Sequence, residues 1–331
     1  RRDEINTITA TDPYIQAIWA SGPWQWSAGL RHSNVRFKVK DKYIVGANGD
    51  DSGSVRFSRS TPALGVTYAL SPVVNLYASA GAGFETPTLN ELSYSPGGGG
   101  FNFGLKPSRS QQFEVGLKAF VGDDTRLEAA MFHIDTRDEI VVFENVGGRT
   151  SFQNAAKTRR QGVEIAIETA LTPSVSAKAM LSYLDARYQS GFGDGAAAVD
   201  KGNRMPGIPR FTFAGELAWQ PADGVTLAAE AVHRAKVFVN DQNRPPVLPP
   251  PAAPDSLAGT PAYAAAFTLV NLRLSAEQQH GDWTFGQLVR MDNVFNRKHI
   301  GSVIVGNAQG RYFEPGPTRS WYAGVSARHA F

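Results

Sequence analysis

The chain has no cysteine. That excludes disulfides, thiolate metal sites and cysteine nucleophiles, and it suits a chain that crosses an oxidising compartment. No apolar run approaches the ~18 residues that a membrane-spanning helix requires. This excludes helical spans alone, because a barrel strand needs only ~9–11 residues with every second one apolar. Charge imbalance is small: 33 Lys+Arg against 30 Asp+Glu in 331 residues, a net charge of +3. With no long run of like charges, there is no electrostatic case for a nucleic-acid partner. No segment shows a capped helical period over three turns. The N-terminus, Arg1-Arg2-Asp3-Glu4, has neither Met nor an apolar h-region, so a signal peptide is not expected. The chain is expected to be mature protein or a piece of something longer.

What is present is a period of two. In "FTFAGELAWQ", Phe211, Phe213, Gly215, Leu217 and Trp219 share one face, opposite Thr212, Ala214, Glu216, Ala218 and Gln220. "SQQFEVGLKAF" sets Phe113, Val115, Leu117 and Ala119 against Gln112, Glu114, Gly116 and Lys118, and "QGVEIAIETA" alternates in the same way. Such alternation is the signal of a strand with two unlike faces. The pattern predicts about thirteen strands.

The connections alternate in length. "SGP", "LSP", "GDD", "TP", "PADG" and "EQQHG" are short. Between them lie long ones, including "ETPTLNELSYSPGGGGFNFGLKPS", "FENVGGRTSFQNAAK", "QSGFGDGAAAVDKGNRMP" and the proline-rich "VNDQNRPPVLPPPAAPDSLAGTPAY". Tight turns at one end and long loops at the other are the layout of an outer-membrane barrel. One face mixes Ala, Gly, Val and Leu with aromatics near strand ends: Trp24, Trp26, Phe113, Phe132, Trp219, Trp283, Phe285 and Trp321. These read as lipid-facing girdles. The other face carries Glu114, Lys118, Glu164, Glu168, Lys178, Glu216, Glu230, Arg234, Arg273, Arg290 and Arg328, which read as lumen residues solvating one another. Strand direction alternates, so the first and thirteenth strands run the same way and cannot close an antiparallel barrel together. A closed barrel then needs further strands outside this chain.

Several stretches resemble the barrel of TonB-dependent outer-membrane receptors: "GAGFETPTLNEL" (81–92), "LKPSRSQQFEVGLK" (105–118), "NAAKTRRQGVEI" (154–165), "GNRMPGIPR" (202–210), "DNVFNRKHIG" (292–301) and the closing "GRYFEPGPTRSWYAGVSARHAF". In order they cover about residues 64–331. Glu85, Ser108 and His329 depart from residues frequent in that family. The resemblance implies an all-β, antiparallel transmembrane barrel of 22 strands. Residues 1–331 would then be its C-terminal part, with an N-terminal plug and the first strands absent. It also implies the outer membrane of a Gram-negative bacterium, lipid around the barrel, and coupling to the TonB complex through the absent plug. The cargo would be a scarce bulky ligand, ferric siderophores foremost, otherwise haem, cobalamin, a quinone cofactor, copper or glycans. The terminal aromatic, Phe331, is in that family the tag read by the barrel assembly machinery.

Ligand recognition is expected in the long loops. Phe84, Tyr94, Phe101 and Phe103 flank "SPGGGG" and offer rings to a planar ligand. Arg149, Arg204, Arg244 and Arg311 offer guanidinium groups to an anionic ferric complex. Neither a cofactor nor a metal site is expected: the six His lack ligand spacing, and the four Met do not cluster. No nucleophile motif points to an enzyme. A passive porin or an adhesin is the alternative class.

Overall fold

A computed structural model describes residues 3–46, 49–96, 100–146, 149–245, 261–307 and 310–330. It is built from strands. In chain order these are β1 (Glu4–Thr11), β2 (Tyr14–Ser21), β3 (Trp24–Asp41), β4 (Gly53–Ser71), β5 (Val74–Glu85), β6 (Ser108–Val121), β7 (Thr125–Val146), β8 (Arg149–Thr172), β9 (Val175–Tyr188), β10 (Phe211–Ala222) and β11 (Val225–Arg234). A short pair, β12 (Val237–Phe238) and β13 (Tyr263–Ala264), precedes β14 (Phe267–His280) and β15 (Trp283–Asp292). A second pair, β16 (Ile300–Val303) and β17 (Phe313–Pro315), precedes β18 (Ser320–His329). A one-turn helix, α1 (Leu89–Leu92), sits between β5 and β6.

Among the described residues, fourteen strands form one antiparallel meander, with β12–β13 and β16–β17 as separate hairpins in the loops. β1 and β2 both pair with β3, in a single register that runs from Glu4↔Asp41 to Ser21↔Trp24. They are one strand interrupted at Pro13, which has no N–H to give to the ladder. The sheet therefore has thirteen strand positions, the number expected, and its first strand starts earlier than the alternation suggested. The sheet is open, with β1–β2 at one edge and β18 at the other. Phe331 lies outside the described residues.

Turns of two or three residues join the strands at one end. Gly224 occupies one of them at φ +71°, and a Cβ there would collide with the Glu277 carbonyl, so glycine is required. Long segments lie at the other end, with one correction. "FENVGGRTSFQNAAK" is mostly hairpin, because β7 and β8 run on to Val146 and from Arg149. Asn154 secures this extension: its Nδ2 donates to the carbonyls of Lys106 (2.9 Å) and Asp138 (2.8 Å), and its Oδ1 accepts from Lys106 N at 2.8 Å.

The two faces differ as alternation requires. Trp24, Trp26, Phe113, Leu217, Trp219, Trp283, Trp321 and Val325 are exposed on one face, read as the outward one. In water such a band would be unfavourable; in hydrocarbon it is the required surface. Phe132 is a second correction. It pairs with Glu114 and Gly162, which puts it on the inner face, where its ring lies over Gly162 in the space a Cβ would fill. Tyr77 lies over Gly116 in the same way and donates to Glu114 Oε1 at 2.8 Å. The inner face also carries a connected ion-pair network. Arg290 holds Glu230 through both terminal nitrogens (2.9 and 2.6 Å) and Asp292 through Nε (2.7 Å), while Arg273 reaches Glu216 at 2.8 Å. Outward-facing strand charge, by contrast, is confined to the loop end of β3–β9. Register and alternation put no Asp, Glu, Lys or Arg on the outward face of β10, β11, β14, β15 or β18.

Candidate functional site

The long segments at the loop end fold back over the inner face, and two roofs result. The first is made by residues 86–96 and 100–107. Thr88 caps α1: its Oγ1 accepts from Glu91 N at 3.3 Å, and Glu91 Oε2 accepts from Thr88 N at 2.7 Å. This reciprocal box fixes the chain direction where β5 ends. The helix delivers Leu92, which is wholly buried, into a cluster with Phe37, Val39, Phe57, Phe101 and Leu105. Phe84 and Phe103 pack against the cluster, and Phe103 stacks on Phe101 with ring centres 5.6 Å apart. Asn102 Nδ2 ties the segment to the β8 extension through the Phe152 carbonyl at 3.0 Å.

The second roof comprises residues 189–210 and 235–245, and it is polar. Tyr188, fully buried at the top of β9, donates to Asp241 Oδ1 at 2.6 Å. Burial pushes the Asp241 carboxyl up to about 6, despite the phenol that favours its charged form. Asn203 Nδ2 donates to the Asp241 carbonyl at 3.0 Å. Asn243, at φ +56°, accepts from Arg204 N at 2.7 Å and donates to the Arg204 carbonyl at 2.8 Å, which clamps the two segments together. Val141, Ala155, Ala186, Val199 and Met205 close around Tyr188.

The expected ligand residues divide between these roofs. Phe84, Phe101 and Phe103 come together, with Phe101 buried among core side chains. Tyr94 is half-buried, with the exposed Arg149 guanidinium 5.6 Å from its ring centre. The Arg204 side chain approaches Asp185 at 3.6 Å, and desolvation, then Arg210 and Arg187, lowers its guanidinium from the usual value. Arg244 is exposed and reaches the Ala198 carbonyl at 3.4 Å. Arg311 is exposed beside the buried Tyr312, its backbone N held by Asn307 Oδ1 at 3.1 Å. The rim thus presents guanidinium groups above roofs of opposite character, an arrangement suited to charge-assisted hydrogen bonds with an anion. Sequence reasoning missed Tyr188, Asn203, Asp241 and Asn243. The signal was the Asx-rich "VNDQN" beside "GNR", since Asn and Asp in loops satisfy backbone groups. Among the described residues no group of three or more His, Asp or Glu is placed to hold a metal ion.

The comparisons with known proteins agree with this architecture. The family model described as "TonB dependent receptor-like, beta-barrel" matches residues 1–294. A probable TonB-dependent receptor, BfrD of Bordetella pertussis, is 25% identical over 219 residues, covering 66% of this chain and 29% of the relative. The metal-pseudopaline receptor CntO of Pseudomonas aeruginosa is 22% identical over 280 residues, covering 83% and 35%. Among solved structures, the unliganded ferric citrate transporter FecA superposes with a TM-score of 0.78 at 18% identity, over 99% of this chain and 46% of that one. The chain therefore spans about a third of these curated relatives and under half of that structure. An open antiparallel sheet with an apolar outer band and a roofed inner rim, matched by that family model over most of its length, belongs to the TonB-dependent receptor family as part of its β-barrel.

Proposed function

We propose that this chain is the C-terminal part of a plugged barrel in the outer membrane of a Gram-negative bacterium, and that the whole protein imports a scarce metal chelate, foremost a ferric siderophore, by coupling to TonB. The observation that carries the reading is the family match over residues 1–294 on a sheet whose inner rim is roofed and cationic. The names of BfrD, CntO and FecA point the same way. The proposed ligand face is the rim, with Arg149, Arg244 and Arg311 exposed and Tyr94 and Arg204 part-buried beside them. Phe84, Phe101 and Phe103 shape the roof beneath it. An anionic complex would meet guanidinium groups there and pass between the roofs toward the Glu230–Arg290 network. A strain lacking the gene, grown under iron limitation on single siderophores, tests this. Loss of growth and of labelled-iron uptake on one siderophore is expected, and unchanged uptake on every iron source defeats the assignment.

A further inference from the structure

The inner-face cations of β9, β14 and β15 are each answered by a carboxylate: Lys178 by Glu168 at 2.6 Å, Arg273 by Glu216 at 2.8 Å, and Arg290 by Glu230 and Asp292. Arg234 lies on the same face at the loop end of β11, and its partners are of another kind. Its terminal nitrogens donate to two backbone carbonyls, Nη1 to Gly301 and Nη2 to Ile300, both at 2.7 Å. The guanidinium lies 4.7 Å from the centre of the Phe267 ring, and the His299 ring packs on Phe267 with centres 4.5 Å apart. Arg234 Nε is buried with no hydrogen-bond partner, and no carboxylate reaches the side chain among the described residues. A carboxylate or phosphate matches the guanidinium fork in both shape and charge. Two carbonyls and a ring are weaker substitutes.

What these two bonds hold is a strap. In the β16–β17 hairpin Ile300 stands opposite Pro315, which has no N–H to give, and the register skips Gly301. The hairpin's own ladder therefore leaves those two carbonyls to an outside donor. Beyond them the chain crosses the mouth. Gly306 N donates to the Val239 carbonyl at 3.1 Å, and the Gly306 carbonyl accepts from Asn145 N at 3.2 Å, near the tip of β7. The chain from Ile300 to Gly306 can reach across roughly 20 Å, which is about the width of the wall from β7 to β11. The strap thus lies over the inner face between the second roof and β11. Backbone bonds to Val239 and Asn145 pin its far end, and the Arg234 side chain pins its near end.

We propose that Arg234 is a cargo-sensing latch: an oxyanion of the imported chelate draws the guanidinium from the Ile300 and Gly301 carbonyls and frees the near end of the strap. This rests on the import reading above. Only hydrogen bonds are exchanged. The two carbonyls pass to water, and the guanidinium trades neutral acceptors for a charged one, which is the stronger pair. Cargo and strap compete for one side chain, so each weakens the other by the same factor. The strap then lifts for cargo that carries negative charge, and Arg234 selects for it. The full-length protein in detergent micelles is followed by hydrogen exchange, with citrate as the probe anion and chloride at equal ionic strength as the control. Citrate quickens exchange at Ile304 and Gly306 about tenfold, the scale of one charge-assisted hydrogen bond, while amides of β14 and β15 keep their rates. Arg234→Gln exchanges about tenfold faster at both amides without citrate and does not respond to it. If that variant does not fold, Arg234→Lys, which keeps the charge and loses the fork, responds about threefold less than wild type. A wild type whose exchange ignores citrate overturns the latch even where Arg234→Gln loosens the strap, because the arginine is then only a brace. Equal rates in Arg234→Gln and wild type overturn it as well. Siderophore uptake without the citrate response sinks the latch and leaves the import reading standing. A citrate response in a protein that imports no chelate sinks the import reading and leaves Arg234 as an anion sensor.

Discussion

The two roofs cover the same inner face by opposite means. Residues 86–96 and 100–107 are held by hydrocarbon: Leu92, Phe101 and Leu105 sink among Phe37, Val39 and Phe57. Residues 189–210 and 235–245 are held by a network of polar groups, with the buried Tyr188 and Asp241 at its centre. Apolar contact is indifferent to pH and sensitive to lost volume. A buried polar network is sensitive to protonation and to any unpaired member. Each roof therefore has its own failure mode, and the second is the one that solution conditions can loosen.

The largest expected effect is on the apolar roof. Phe101→Ala should destabilise it by about 3–5 kcal/mol, read as faster hydrogen exchange across residues 86–107 with residues 189–245 unchanged. Equal acceleration in both would show that the roofs are one unit. Second is the pH dependence of the polar roof. Asp241 has a folded pKa of about 6 against an ordinary 3.8, so the folded state holds the extra proton. That contribution is complete below about pH 4 and is lost as pH rises to about 6, up to about 3 kcal/mol. Exchange in 189–245 should therefore quicken over that window, and Asp241→Asn should flatten the profile. The apolar roof should show no such step. Third, Thr88→Ala removes the cap of α1 and should loosen the apolar roof by about 1 kcal/mol, which protease cleavage near α1 would report. Smallest is Arg149→Gln, which takes the cation from the Tyr94 ring and should shift local stability by about 0.5–1 kcal/mol. An effect on ligand affinity larger than that on exchange would mark Arg149 as a ligand contact.

Much of the sheet was legible because strand alternation is local: each residue's face follows from its neighbours, and the turn and loop lengths order the meander. Phe132 was misplaced because "EAAMFHID" carries large side chains on both faces, and only the partner Gly162 on the next strand decides between them. The β7–β8 extension was hidden because its support comes from Asn102, Lys106 and Asn154, distant in sequence or polar in character. The candidate site was half legible. The loops and their cations could be named. That Phe101 would be buried against Phe37, and that Asn243 would clasp Arg204, depends on contacts between segments that no local pattern encodes.

The outward belt of cations on β3–β9 also bears on how such a sheet keeps its orientation. An Arg or Lys on the lipid face costs about 2–4 kcal/mol at the bilayer midplane and little at the interface. The tight-turn end of the outward face carries aromatic and aliphatic side chains, while the loop end carries Arg109, Arg137 and Lys157. Once those three have crossed the hydrocarbon, slipping back would drag them through it again. That cost holds the loop end of this wall at the interface.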